Sequence, residues 1–200
     1  MTDDELFEAV RARVKAGRPT DSTSALTTPE PVSLDTAEDA ERTIGFRLPP
    51  LVRRLYLEIA DGGVGPFLGF SALNGEPLGM VNDYLDYLNA ELAPEDPPAP
   101  PPGVLCFCDL GCAMWALLDC RHPEGQMWWW EEGDRHKLDL TFPQWMQAWL
   151  DGHLTHEYME ARQLQDESWV GPWANEQPQP VCEPGFRWRC GRHRRRRSRL

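Results

Sequence analysis

Six cysteines, at positions 106, 108, 112, 120, 182 and 190, and five histidines are the side chains whose types could hold a metal or activate a nucleophile. Structural zinc sites present two ligands about two to four residues apart, twice, on tight loops. Here Cys106, Cys108, Cys112 and Cys120 are separated by one, three and seven residues, with no C-x-x-C pair among the six. Read on a strand, Cys106 and Cys108 point to one face, Cys112 sits in a turn and Cys120 ends the next strand. Thiols packed in a core or at a strand edge explain this spacing better than zinc, because a free cysteine behaves as a small hydrophobe. His153-Leu154-Thr155-His156-Glu157 and His156-Glu157-Tyr158-Met159-Glu160 echo a metalloprotease helix. That helix needs His-Glu-x-x-His, and Glu160 stands where the second histidine belongs. There is no G-x-S-x-G, no P-loop and no dinucleotide-binding glycine loop. Gly62-Gly63-Val64-Gly65 lacks a preceding strand and a following lysine, so it reads as a turn. No catalytic residue, metal or cofactor is expected.

The chemistry on offer is recognition. Trp128-Trp129-Trp130-Glu131-Glu132 is the best binding candidate. On a strand, Met127, Trp129 and Glu131 share one face, while Gln126, Trp128, Trp130 and Glu132 share the other. Both faces carry large aromatics, and one covering helix can seal only one of them. Tryptophan is enriched at the energetic centres of interfaces, and adjoining carboxylates suit a partner's Lys or Arg. Trp128, Trp130, Glu131 and Glu132 are therefore the candidate partner-binding residues, set against a sheet simply buried on both faces.

Charge divides the chain. The net charge is −12, yet residues 181–200 hold eight Arg and one Glu, about +7, leaving 12 basic and 31 acidic residues, −19, in the first 180. An acidic body repels nucleic acid and speeds association with basic proteins. The Arg-rich end either contacts nucleic-acid phosphates or folds back on the acidic body. Nucleic acid is expected as a partner only through that arm.

Apolar content of 41% and nine tryptophans fit a packed globular chain. At 200 residues it can bury roughly 70% of its unfolded surface in one domain. No apolar run reaches the roughly 18 residues of a membrane span. The acidic start Met1-Thr2-Asp3-Asp4-Glu5 lacks the pattern of a signal peptide, which predicts a cytoplasmic protein with unpaired thiols.

The elements that position these residues follow from periodicity. Leu6, Phe7, Val10 and Val14 predict a helix over 3–16, stopped by Gly17, and Arg18–Pro31 reads as a loose connection. Ser33 or Asp35 caps a helix ending at Ile44, with Gly45 as its left-handed stop. Pro49 or Pro50 opens the next helix, to about Ala60, with Leu51, Val52, Leu55, Tyr56 and Ile59 on one face. A short strand near 67–70 leads to the Asn74-Gly75 turn and a helix over about 79–92. Six prolines between Pro94 and Pro102 predict an extended surface loop. Three short strands follow, at 104–108, 114–119 and 126–131, as an antiparallel meander. Thr141 or Asp139 caps a helix over 142–151 that lays Phe142, Trp145, Met146 and Trp149 on one sheet face, and a further helix spans about 155–165. The division expected is an N-terminal helix with its connection (1–33), an α+β domain (34–165) and a disordered tail (166–200).

Four blocks in this order resemble the SUKH superfamily, in its Smi/Knr branch of bacterial immunity proteins and fungal cell-wall regulators. The first runs from Ala40 through Gly45, Leu48-Pro49-Pro50 and Tyr56 to Asp61-Gly62-Gly63. The second is Cys108-Asp109-Leu110-Gly111-Cys112-Ala113-Met114-Trp115, the third Gly125–Trp130, and the fourth Phe142-Pro143-Gln144-Trp145-Met146 with Trp149-Leu150. Leu48, Pro49, Tyr56, Gly62, Gly63, Gly111 and Trp115 match the family's scaffold pattern, while Asp61 replaces the Asn of its Asn-Gly-Gly turn. The resemblance implies an α+β fold and a non-enzymatic immunity protein that occludes a toxin, often a nuclease with a basic cleft. Its alternative is a regulatory scaffold of the fungal kind with no toxin.

Overall fold

The computed structural model describes residues 1–22, 28–75, 79–89, 100–131 and 134–165. Thr2 opens α1 (Asp3–Lys15): its hydroxyl accepts from the Glu5 amide while the Glu5 carboxylate accepts from the Thr2 amide at 2.8 Å. This reciprocal cap satisfies two donors that a helix start leaves open. Ser33 caps α2 (Leu34–Ile44), and Gly45, at φ 81°, ends it. Pro50 takes the first position of α3 (Pro50–Glu58), where its missing N–H costs nothing. α4 (Met80–Leu88) ends in Asn89, short of the expected 92, and residues 90–99, with three of the six prolines of the run, lie outside the described residues.

The sheet is an antiparallel meander in the order β1 (Val104–Gly111), β2 (Met114–Asp119), β3 (Gln126–Glu131), β4 (Asp134–Thr141). β4 is a strand that the periodicity reading omits. The segment alternates His136, Leu138 and Leu140 with Arg135, Lys137 and Asp139, and its polar outer positions hide it. α5 (Phe142–Leu150) follows directly, with Phe142, Trp145, Met146 and Trp149 buried as expected. α6 (His156–Glu160) is much shorter than the predicted 155–165 helix, because the chain turns back and Gln163 bridges to Leu138 of β4.

One sheet face lies in the main core with α1, α2, α3 and α5. Phe107 is its hub, stacked on Phe70 at 5.2 Å and edge-on to Phe142 and Trp145 at 5.5 and 6.5 Å. Leu6, Phe7 and Val10 of α1 belong to this same core. The other face holds a small second cluster of Val104, Cys106, Leu117 and Trp128, with Tyr87, Trp115 and Trp130 packed against it.

Three further expectations are corrected. The strand at 67–70 reduces to one bridge, Phe70 to Cys108, since Phe67 and Gly69 sit at φ 52° and 85° and break extended backbone. Cys106 and Cys108 do not share a face: a register shift between them places Cys108 in the main core and Cys106 in the second cluster. Residues 18–22 are tied down by Asp21, which accepts from the Phe67 amide at 3.0 Å, the Trp149 indole at 3.0 Å and Arg13 at 2.9 Å. Among the described residues no helix is long and apolar enough to cross a membrane.

The turn after α3 shows why its residue types matter. Asp61 accepts from the Leu73 amide at 2.6 Å, a role that the oxygen of Asn fills equally, and Tyr56 donates to the Ser71 carbonyl at 2.6 Å. Gly62 sits at φ 83°, where a Cβ would lie 2.6 Å from the Ala72 nitrogen.

Candidate protein-binding surface

The strand register builds one continuous row across the sheet. Trp115 stands opposite Asp109 on β1 and Trp130 on β3, and Trp130 stands opposite Arg135 on β4. Directly opposed residues share a face. Asp109, Trp115, Trp130 and Arg135 therefore form a four-strand ridge, and all four are partly exposed. The next row on the same face, Cys106, Leu117, Trp128 and Lys137, is buried. Trp128 has no exposed surface, and Lys137, itself 7% exposed, holds its ammonium 5.5 Å from the Trp128 ring centroid.

α4 borders the ridge. Tyr87 packs on Trp130 with ring centroids 5.5 Å apart and planes tilted 51°. Burial pushes the Tyr87 hydroxyl up to about 12, with Cys106 adding to the shift. Burial likewise pushes the Cys106 thiol to about 12, aided by the Asp83 charge, and raises the Asp83 carboxyl, aided by Asp86. The Tyr87 and Cys106 groups therefore stay protonated at neutral pH, and the ridge is aromatic between Asp109 at one end and Arg135 at the other.

The β1–β2 connection beside the ridge is strained. Cys112 and Ala113 form a two-residue loop between the paired Gly111 and Met114, both at positive φ (52° and 63°). Such loops favour Asn-Gly, because side chains with a Cβ resist the left-handed region. Gly111, at φ 84°, supplies the approach to it.

Of the residues expected to meet a partner, Trp130 and Glu131 are partly exposed, Trp128 is sealed beneath the ridge, and Glu132 lies outside the described residues. Trp129 faces the opposite side: it is 6% exposed, stacked on His156 at 6.0 Å, which stacks in turn on Phe67 at 5.5 Å. His156 is thus an aromatic packing partner. Leu48, Pro49, Tyr56 and Gly62 are buried around α3 and its exit turn, with Gly63 half-buried beside them, and Gly111 lies at the hairpin. Trp115, matched as scaffold, lies on the ridge itself. Sequence reasoning missed Asp109, Tyr87 and Arg135; the alternation of 134–141 was the signal for Arg135, whereas Tyr87 meets Trp130 only through tertiary packing.

Cys106, Cys108 and Cys120 are buried free thiols and Cys112 is exposed. Burial raises the pKa of Cys108 and Cys120 strongly, so both rest as inert thiols. Among the described residues no group of three or more His, Cys, Asp or Glu is placed to hold a metal.

Residues 31–148, from just before the α2 cap to within α5, match the SMI1 / KNR4 family (SUKH-1). No curated protein and no solved structure matches the chain.

Proposed function

Since the chain belongs to the SMI1 / KNR4 family (SUKH-1), we propose that it is a protein-binding module, an intracellular immunity protein that neutralises a cognate toxin by covering it. The observation that carries this reading is the ridge: two tryptophans paired across adjacent strands, partly exposed, with Asp109 beside Trp115 on the same face. Paired aromatics held by a rigid sheet lose little side-chain freedom on binding, which is what an energetic centre of an interface requires. The body at −19 then complements a basic cleft such as that of a nuclease toxin, accelerating encounter and making it salt-dependent. Nothing in this scheme needs bond-making chemistry.

The test is co-expression with the toxin-like protein encoded beside the gene, followed by binding with purified proteins. Wild type should rescue growth. Trp130→Ala should weaken binding by about 30-fold or more, as expected for an interface hot spot, and Glu131→Lys should mainly slow association, with unchanged melting temperatures as the control. A lethal toxin left unaffected by soluble wild-type protein would sink the immunity reading and put the regulatory scaffold in its place.

A further inference from the structure

The chain leaves the described residues beside the ridge and travelling toward it. After α6 the backbone runs antiparallel to β4: the Asp139 amide donates to the Arg162 carbonyl at 2.7 Å, and the Leu164 amide donates to the Lys137 carbonyl at 2.8 Å. From Arg162 to Leu164 the chain thus passes from Asp139 toward Lys137, along the outer edge of the last strand in the sheet. Arg135, the basic end of the ridge, is the next outward position.

The 35 residues from 166 to 200 continue from this point, and the last 20 carry eight Arg and one Glu. Reach is not limiting, because about 20 residues can span up to roughly 3.3 Å each, while the ridge crosses only four strands spaced about 4.8 Å apart. The chemistry is complementary: guanidinium planes stack on tryptophan faces, and Asp109 on the ridge with Asp83 and Asp86 on α4 supply the opposite charge.

We propose that the arginine-rich arm, residues 187–199, docks in cis on the Trp115–Trp130 ridge and is the competitor that a basic partner must displace. The competitor role rests on the ridge being the partner surface; the docking itself does not. Tethering makes even a weak contact effective, since the arm is present at an effective concentration of about a millimolar. A partner then gains access only when its own contacts exceed those of the arm, which raises the selectivity of the surface for its cognate protein.

Two cysteines of the natural chain provide the probe. Cys112 is exposed at the hairpin tip next to Trp115, and Cys190 lies among the arginines of the arm. The full chain is treated with a short bismaleimide, and the Cys112–Cys190 link is quantified by peptide mass spectrometry, with Cys112→Ser as the blank. Docking predicts linking at low salt about ten-fold faster than in about 1 M salt, where charges are screened beyond roughly 3 Å. The full-length variant R194Q/R195Q/R196Q/R197Q should lose the same factor and bind the partner several-fold more tightly. Equal linking rates in all three conditions would overturn the docking, even if Trp130→Ala still abolished partner binding and so left the proposed function intact. Salt-sensitive linking with unaltered partner affinity in the arginine variant would overturn the competitor role.

Discussion

Gly62 and Gly63 are neighbours with different reasons to be glycine. Both have positive φ, at 83° and 65°, but a Cβ on Gly62 would strike backbone at 2.6 to 2.8 Å, whereas one on Gly63 meets only the ring of Pro29, at 3.4 Å. Gly63→Ala should therefore cost about 1 kcal/mol, the ordinary strain of an L residue in the left-handed region. Gly62→Ala should cost about 3 kcal/mol or more, since backbone must also move. Urea denaturation of the two variants measures both, and equal losses would contradict the close packing of this turn. The adjacent Asp61, which holds the Leu73 amide, shows how one carboxylate oxygen replaces an amide oxygen without rebuilding the turn.

At the level of elements, the β1–β2 hairpin stands out because its tip uses Cys112 and Ala113 where glycine and asparagine fit better. Strain of this kind persists where the surrounding pairing over-determines the backbone, and it clusters at functional surfaces. Ala113→Gly should relieve it and stabilise the protein by about 0.5 to 1 kcal/mol, read as a rise in the denaturation midpoint. If the tip orders the ridge, the same substitution weakens partner binding while improving stability. A substitution that destabilises would show instead that the turn is unstrained. The sheet face above this hairpin depends on a bulge near Phe107, which sends Cys108 into the main core and leaves Cys106 under α4.

Across the whole molecule, several weak acids are buried in their neutral forms. Burial raises the pKa of Tyr56, Cys108 and Cys120, and takes that of Cys106 from 9.0 to about 12. The folded state thus keeps protons that the unfolded chain releases above about pH 9. The corresponding stability is fully present below pH 9 and is lost as pH rises toward 12, at up to about 1.4 kcal/mol per pH unit for each proton. Denaturation midpoints at pH 8 and pH 10.5 test this: the loss should be large in the wild type and smaller in Cys106→Ala. An alkaline limit independent of that substitution would place the sensitivity elsewhere. The acidic body and basic arm add a second dependence, on salt, which belongs to binding rather than to folding.

Local physics made much of this legible in the sequence. The caps at Thr2 and Ser33, the left-handed stop at Gly45, proline at the start of α3 and the period-two runs of β1 to β3 depend on near neighbours, so residue order alone specifies them. The same holds for the family blocks from Ala40 to Leu150 and for the charge division of the chain. Tertiary structure decided what near neighbours cannot. It paired Asp134–Thr141 as an edge strand, whose polar outer positions mask its alternation. It also turned 163 back onto that strand and split Cys106 from Cys108 by a bulge. Above all, it chose which tryptophans stay at the surface: Trp128 and Trp130 share a face and differ by two positions, yet only the register that aligns Trp130 with Trp115 and Arg135 at the sheet's end leaves Trp130 exposed. Exposure is a property of what packs alongside, and those neighbours come from distant parts of the chain.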